Sequence, residues 1–172
     1  MSKIKIFLML LGYQLTWLFC VFGELLYDSF FPGLFSGFVF IIICFFNTHN
    51  RKKFLITVLS ISLIGYVFDS IIIFFDIYKF QTSLYFGLLP IWMLVLWPSF
   101  ASLFDEVFVF LTKYKILAII LGSILGPITY FSGEPLGLIT INKIYLFFIL
   151  MSIFWAALMT IYLYFIVKLK LN

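Results

Sequence analysis

The chain has 172 residues, is 65% hydrophobic and 10% charged, and carries a formal net charge of +4. Mean hydropathy is +1.23. A soluble domain carries about 25% charged residues, and no soluble core of this size could hide so much Phe, Ile and Leu. Composition therefore excludes an ordinary soluble enzyme or nucleic-acid-binding module and places the chain among integral membrane proteins. No Ser/Gly-rich linker, charge block, low-complexity tract or internal repeat divides it. One integral-membrane domain over residues 1–172 is expected, an all-α polytopic bundle of about six spans.

The first predicted span covers 4–26. Its basic start resembles a signal peptide, but the apolar run is too long and lacks a small-residue cleavage site, so it reads as an uncleaved span. Gln14 lies at mid-membrane, and Glu24 and Asp28 follow near the outer end. Pro32 and Gly33 mark a reversal into a short second span, 34–46. Cys20 and Cys44 should differ in depth by about 10 Å, which disfavours a disulfide. The basic stretch Arg51-Lys52-Lys53 follows, beside His49, the only histidine. A lone His among cations in a polar loop reads as solvated.

The third span, 54–75, carries Asp69 with no other charge. About fifteen large apolar residues outweigh one Asp for insertion, so this carboxyl must face protein, water or a partner. It should lie about 10 Å inside the outer end. Asp69 and Asp76 are seven apart and are expected on one helix face. Cross-helix hydrogen bonds from Gln14, Thr16 or Tyr130 would suit Asp69, and Ser70 adjoins it.

The fourth span is predicted over 86–111, with Pro90 and Pro98 inside it. Pro in a membrane helix is tolerated where neighbours satisfy the freed carbonyls. Trp97 and Trp155 lie too deep for an interfacial belt and should pack between helices. Asp105 and Glu106 stand near the fourth span's end, either beyond the helix or carried at the membrane edge. The fifth span, 116–131, contains Gly122 and Gly126 at the small-xxx-small spacing that permits close helix approach. The sixth covers 144–167.

With six spans, nine of the eleven Lys and Arg residues fall on one side, leaving Lys79 and Lys143 on the other. The inner group includes Lys113, Lys168 and Lys170. This bias predicts cytoplasmic N and C termini. The outer side collects Glu24, Asp28, Asp76 and Glu134, a carboxylate cluster that could hold a cation or relay protons, or could simply mark helix ends. No metalloprotease, redox-dithiol, nucleophile-elbow, P-loop or dinucleotide motif is present. No metal site or cofactor is predicted. Membrane lipids, and a second membrane protein, are the expected partners, with no nucleic acid.

Several pieces in order resemble a known family. They are Gln14-x-x-Trp17, Gly65-x-x-x-Asp69-Ser70, Pro90-x-Trp92-Met93 with Leu96-Trp97, and Gly122-x-x-x-Gly126-Pro127-x-x-Tyr130. The pattern is similar to small bacterial inner-membrane proteins catalogued as domain of unknown function 2878. The resemblance covers most of the chain from about Ile6 to the last span. It implies a multi-pass protein of the bacterial inner (cytoplasmic) membrane and a link to membrane lipid chemistry. Members resembling it often carry Asn-His where Asp105-Glu106 stand here.

Three functions remain open from sequence. The favoured one is a non-enzymatic subunit or scaffold serving lipid or envelope processes. The second is an ion-coupled transporter using Asp69 and Gln14. The third is a membrane-embedded enzyme acting on lipid through the outer carboxylates.

Overall fold

The computed structural model describes residues 3–82, 84–164 and 166–168. Lys170, counted above with the inner bases, and Ser83 of the loop after the third span lie outside the described residues. The architecture is mostly helical. Three helices are long and apolar enough to cross a membrane: Ile4–Tyr27, Arg51–Phe74 and Ile144–Tyr164.

Helix α1 (Lys3–Tyr27) pairs with α2 (Phe31–Asn47). Pro32 sits in the first turn of α2, where its missing N–H has no carbonyl to serve. This starts α2 three residues earlier than the sequence pattern placed it. The hairpin closes tightly because Gly33 faces the Cys20 backbone, and a Cβ there would come 2.7 Å from Cys20 Sγ. Both cysteines are buried and free.

Helix α3 (Arg51–Phe74) begins at Asn50, whose side chain accepts from the Lys53 N–H at 2.9 Å. It ends in a Schellman turn. The Ile77 N–H reaches Ile72 O at 3.2 Å, and the Asp76 N–H reaches Ile73 O at 2.9 Å. Asp76 holds the left-handed position at φ 55°, a place that Gly or Asn usually fills. Asp76 therefore lies beyond the helix, not on the face of Asp69 as its spacing predicted.

Short strands join the helical framework at this end of the molecule. Strand β1 (Tyr78–Phe80) pairs antiparallel with β4 (Ile139–Ile141), joining two distant loops. Strands β2 (Tyr85–Phe86) and β3 (Leu89–Pro90) form a hairpin. Its turn needs Gly87 at φ 65°, which glycine adopts without strain.

The continuous fourth span expected over 86–111 is corrected. Helix α4 covers only Met93–Ala101. Pro98 cannot donate to the carbonyl four residues back. That carbonyl, Leu94 O, instead accepts from the Tyr66 hydroxyl at 2.9 Å. The Ser102 N–H and hydroxyl both turn back onto Pro98 O, at 2.9 and 2.8 Å. The chain then continues through turns to a 3-10 helix, Phe108–Lys113.

Helix α5 (Lys115–Phe131) packs along α6 (Ile144–Tyr164), and a short 3-10 turn, Ile166–Lys168, follows. This pair joins the rest largely through aromatic rings. Phe68 of α3 stacks on Phe154 of α6 at 3.7 Å, and Trp97 stacks on Trp155 at 5.7 Å. Tyr162 donates its hydroxyl to Phe104 O. Large apolar side chains such as Phe7, Phe38, Leu59 and Ile153 are left exposed around the outside.

Candidate functional site

Asp69 is completely buried and is the polar centre of the bundle. The Tyr78 hydroxyl donates to Oδ1 at 2.8 Å. The Trp97 indole N–H donates to Oδ2 at 2.8 Å. The Tyr130 hydroxyl lies between the two oxygens, at 3.1 and 2.9 Å. Four elements converge here: α3 supplies the acid, and β1, α4 and α5 supply the donors. Burial of a carboxylate is tolerable only with such partners. Gly65, one turn before Asp69, makes the room, since a Cβ there would overlap the Trp97 ring.

The Trp97 and Tyr130 side chains form part of the wall of a cleft of about 650 Å³. The cleft lies between α1, α4, the 3-10 helix, α5 and α6. Helices α1 and α5 make no extended contact with each other, so the cleft opens sideways between them. Exposed Gln14 on α1 and exposed Leu121, Leu125 and Ile128 on α5 form its rim. Its other wall is mostly aromatic, including Tyr13, Trp92, Phe100 and Trp155. Among the described residues, no Lys, Arg, His, Asp or Glu lines it. The buried Trp92 and Trp155 N–H groups have no acceptor among the described residues. The Gln14 side chain makes no hydrogen bond among the described residues.

A model of the family described as Protein of unknown function (DUF2878) matches residues 6–161. The chain belongs to that family. Comparisons with curated proteins and with solved structures found no match. The DUF2878 match covers Asp69, its three donors and the residues that line the cleft.

The other residues singled out in this DUF2878 chain are placed as follows. Tyr130 meets Asp69, whereas Gln14 lies on the cleft rim and Thr16 donates to Gly12 O at 3.0 Å in its own helix. Asp69 therefore has no partner from α1. Ser70 is half-buried beside Asp69, and its hydroxyl makes no hydrogen bond among the described residues.

The four outer acids are dispersed. Glu24 accepts from the Thr82 hydroxyl. Asp28 is exposed at φ 47° beyond α1. Asp76 pairs with Lys79 at 2.8 Å and accepts from Asn142 at 2.9 Å. The Lys79 ammonium holds the Asp76 carboxyl below the ordinary carboxylate range. Glu134 accepts from the Ile141 N–H at 3.0 Å and so anchors β4. No three His, Cys, Asp or Glu residues converge among the described residues.

Gly122 and Gly126 face α6. A Cβ on Gly122 would come 2.7 Å from Met159 Cγ, and one on Gly126 would overlap the Trp155 ring. His49 is exposed.

Sequence reasoning did not pair the residues at the opposite end. Lys5 bridges to Glu106 at 2.9 Å, and the Thr48 hydroxyl donates to the same carboxylate at 3.0 Å. Lys53 lies 3.4 Å from Asp105, which accepts from the Thr57 hydroxyl at 2.6 Å. Both acids sit in the turns after α4, where the broken fourth segment brings them against α1, α2 and α3. Tyr78 was also missed as an Asp69 partner. The only sequence signal was an aromatic residue just past the end of α3.

Proposed function

We propose that this DUF2878 chain is a non-enzymatic protein of the bacterial inner membrane that holds the chain of a membrane lipid in its lateral cleft. The observation that carries this reading is the cleft itself. It is apolar, aromatic-walled, uncharged and open between two apolar helices. Binding sites for small molecules have this character, with a few placed polar groups. Only a ligand already dissolved in the hydrocarbon could reach an opening with such a rim.

Six crossings with cytoplasmic termini fit the arrangement, the fourth being made by α4, its following turns and the 3-10 helix. Helices α2 and α5, at 17 residues each, reach about 26 Å, close to the hydrocarbon thickness of about 30 Å. The end holding Lys5, Lys53, Lys113 and Lys115 is the inner one by its basic excess. Transport through Asp69 is less well supported, because three donors already occupy the carboxyl and hold it as a structural knot.

Native mass spectrometry from gentle detergent tests the lipid reading. The unmodified protein should retain a lipid adduct. Leu125→Trp, which places a large ring at the cleft mouth, should lose it while keeping its melting point. Equal retention by this variant would overturn the proposal.

A further inference from the structure

Resting on the lipid reading of the cleft, we infer that Gln14 selects the ligand, a lipid carrying an uncharged hydroxyl or carbonyl group at mid-bilayer depth. The polar side chains of the lining divide into engaged, sealed and free. Thr129 and Ser132 donate their hydroxyls to Leu125 O and Thr129 O, at 2.9 and 2.6 Å. Tyr130 and Trp97 donate to Asp69. These hydroxyl oxygens can still accept, but their protons are used. The Trp92 and Trp155 nitrogens are sealed inside the protein, out of a ligand's reach. The free groups all lie on α1. Tyr13, Gln14 and Trp17 line the cleft, and none makes a side-chain hydrogen bond among the described residues. Unlike the Trp92 and Trp155 nitrogens, their polar atoms are not sealed off. Trp17 stands three and four residues after the other two, so the three are neighbours on the helix surface.

Gln14 is the exposed member of the three. It stands eleven residues from Lys3 and thirteen from Tyr27, the ends of α1, about 17 and 20 Å away. Long Lys and Arg side chains snorkel to the membrane surface; from this depth a Gln side chain is too short to do so. Hydrocarbon offers it no partner, and an unpaired amide there is costly. The amide holds no other element of the fold in place, since it bonds none of them. A ligand in the cleft supplies what is missing. An amide both donates and accepts, so a ligand hydroxyl answers both sides and a carbonyl answers its N–H groups. The lining has no charged side chain among the described residues, which suits an uncharged group. An ordinary phospholipid keeps its head near the surface, about 15 Å from the midplane, and shows Gln14 only methylenes. The ligand therefore carries its oxygen midway along a chain, or has a head small enough to sink to the midplane.

All four tryptophans, Trp17, Trp92, Trp97 and Trp155, line the cleft, so their fluorescence reports its occupancy. In nanodiscs, dibromooctadecane serves as the quencher. Three unbrominated competitors of equal chain length displace it: octadecane, octadecanol, and methyl hydroxystearate with its hydroxyl at mid-chain. At least one alcohol should compete about fivefold better than octadecane, the effect of one hydrogen bond. Methyl hydroxystearate in the lead identifies a mid-chain oxygen, and octadecanol in the lead identifies a small sunken head. Gln14→Leu and Gln14→Met remove the amide where it has no protein partner. Each should keep the melting temperature, weaken the preferred alcohol by about fivefold and leave octadecane unchanged; either variant alone suffices. A preference that survives the substitution, or octadecane equal to both alcohols, overturns this inference and leaves the lipid reading standing. Failure of both variants to fold overturns it too, because the amide would then serve the fold. So does a dimer in native mass spectrometry that Gln14→Leu dissolves, because a second copy of this chain would then be the partner. Absence of saturable quenching by dibromooctadecane overturns both this inference and the lipid reading.

Discussion

Trp97 donates its indole N–H to Asp69 at 2.8 Å while its ring covers Gly65, one turn earlier on the same helix. Acid and glycine thus act as a matched pair of receptors for one side chain. The glycine accepts the shape and the acid accepts the hydrogen bond. This relationship fixes α4 against α3 one residue before Pro98, in the wall of the cleft.

Removing only the proton donor should be measurable. Trp97→Phe keeps an aromatic ring over Gly65 but leaves Asp69 Oδ2 with Tyr130 alone. A loss of about 1–3 kcal/mol is expected for a weakened buried acceptor. Gly65→Ala attacks the same joint by overpacking and should cost about 1–3 kcal/mol. Thermal melting in detergent checks both. An unchanged melting point in both variants would show that α4 is held elsewhere.

Asp69 itself separates structure from chemistry. Asp69→Leu leaves the Tyr78, Tyr130 and Trp97 donors facing an apolar side chain. It should cost about 3 kcal/mol or more, since each orphaned donor is worth about 1–3. Asp69→Asn retains one carbonyl oxygen for Trp97, and the tyrosine hydroxyls can rotate to accept. It should fold and still retain lipid. A folded Asn variant that loses all cellular function would instead assign Asp69 a proton or cation.

Gly126 should tolerate no side chain. Gly126→Leu would drive atoms into the Trp155 ring and separate α5 from α6, lowering the melting temperature. Gly87→Leu makes a useful contrast, because nothing stands within 4 Å of a Cβ there. That change would report only the strain of a positive φ. If Gly126→Leu were the milder of the two, the α5–α6 contact would not be limiting for stability.

Acidification should expose the Asp76–Lys79 pair. The Asp76 carboxyl is held below its ordinary value, chiefly by Lys79, so it stays ionised longer in the folded chain than in the unfolded one. Its contribution is present above the unfolded pKa, about pH 4. It is lost as the pH falls through the lower, folded value. Melting followed below about pH 4 should show this extra loss, and Asp76→Asn should abolish it. The group is fully exposed, so the effect should be small and should fade with added salt.

Alkaline phosphatase fusions read the crossings directly. Fusions after Phe31 and Lys79 should be active, and fusions after Lys53 and Lys113 inactive. The junction after Lys113 is the most informative, because it asks whether the broken α4 segment completes a crossing. Activity there would reduce the segment to a re-entrant loop.

The sequence by itself determined the environment, the approximate positions of the helices, and the residue around which the bundle is organised. Those properties are local. A run of apolar side chains fixes a helix in hydrocarbon, and a lone Asp69 inside one demands a partner wherever it lands. Gly122 and Gly126 were legible for the same reason, since their spacing alone puts a bare strip on one helix face. The tertiary structure decided which donors answer Asp69, and only Tyr130 was foreseen. It also decided that Asp105 and Glu106 meet Lys53 and Lys5, and that loop residues 78–80 pair with 139–141. Helix α4 shows why these lay beyond the sequence. Its hydropathy runs on past Ala101, yet Pro98 frees a carbonyl that only Tyr66, on another helix, can satisfy. Hydrogen bonds between elements depend on distances that chain order does not encode, so the cleft and its unpaired indoles emerged only when the helices were set side by side.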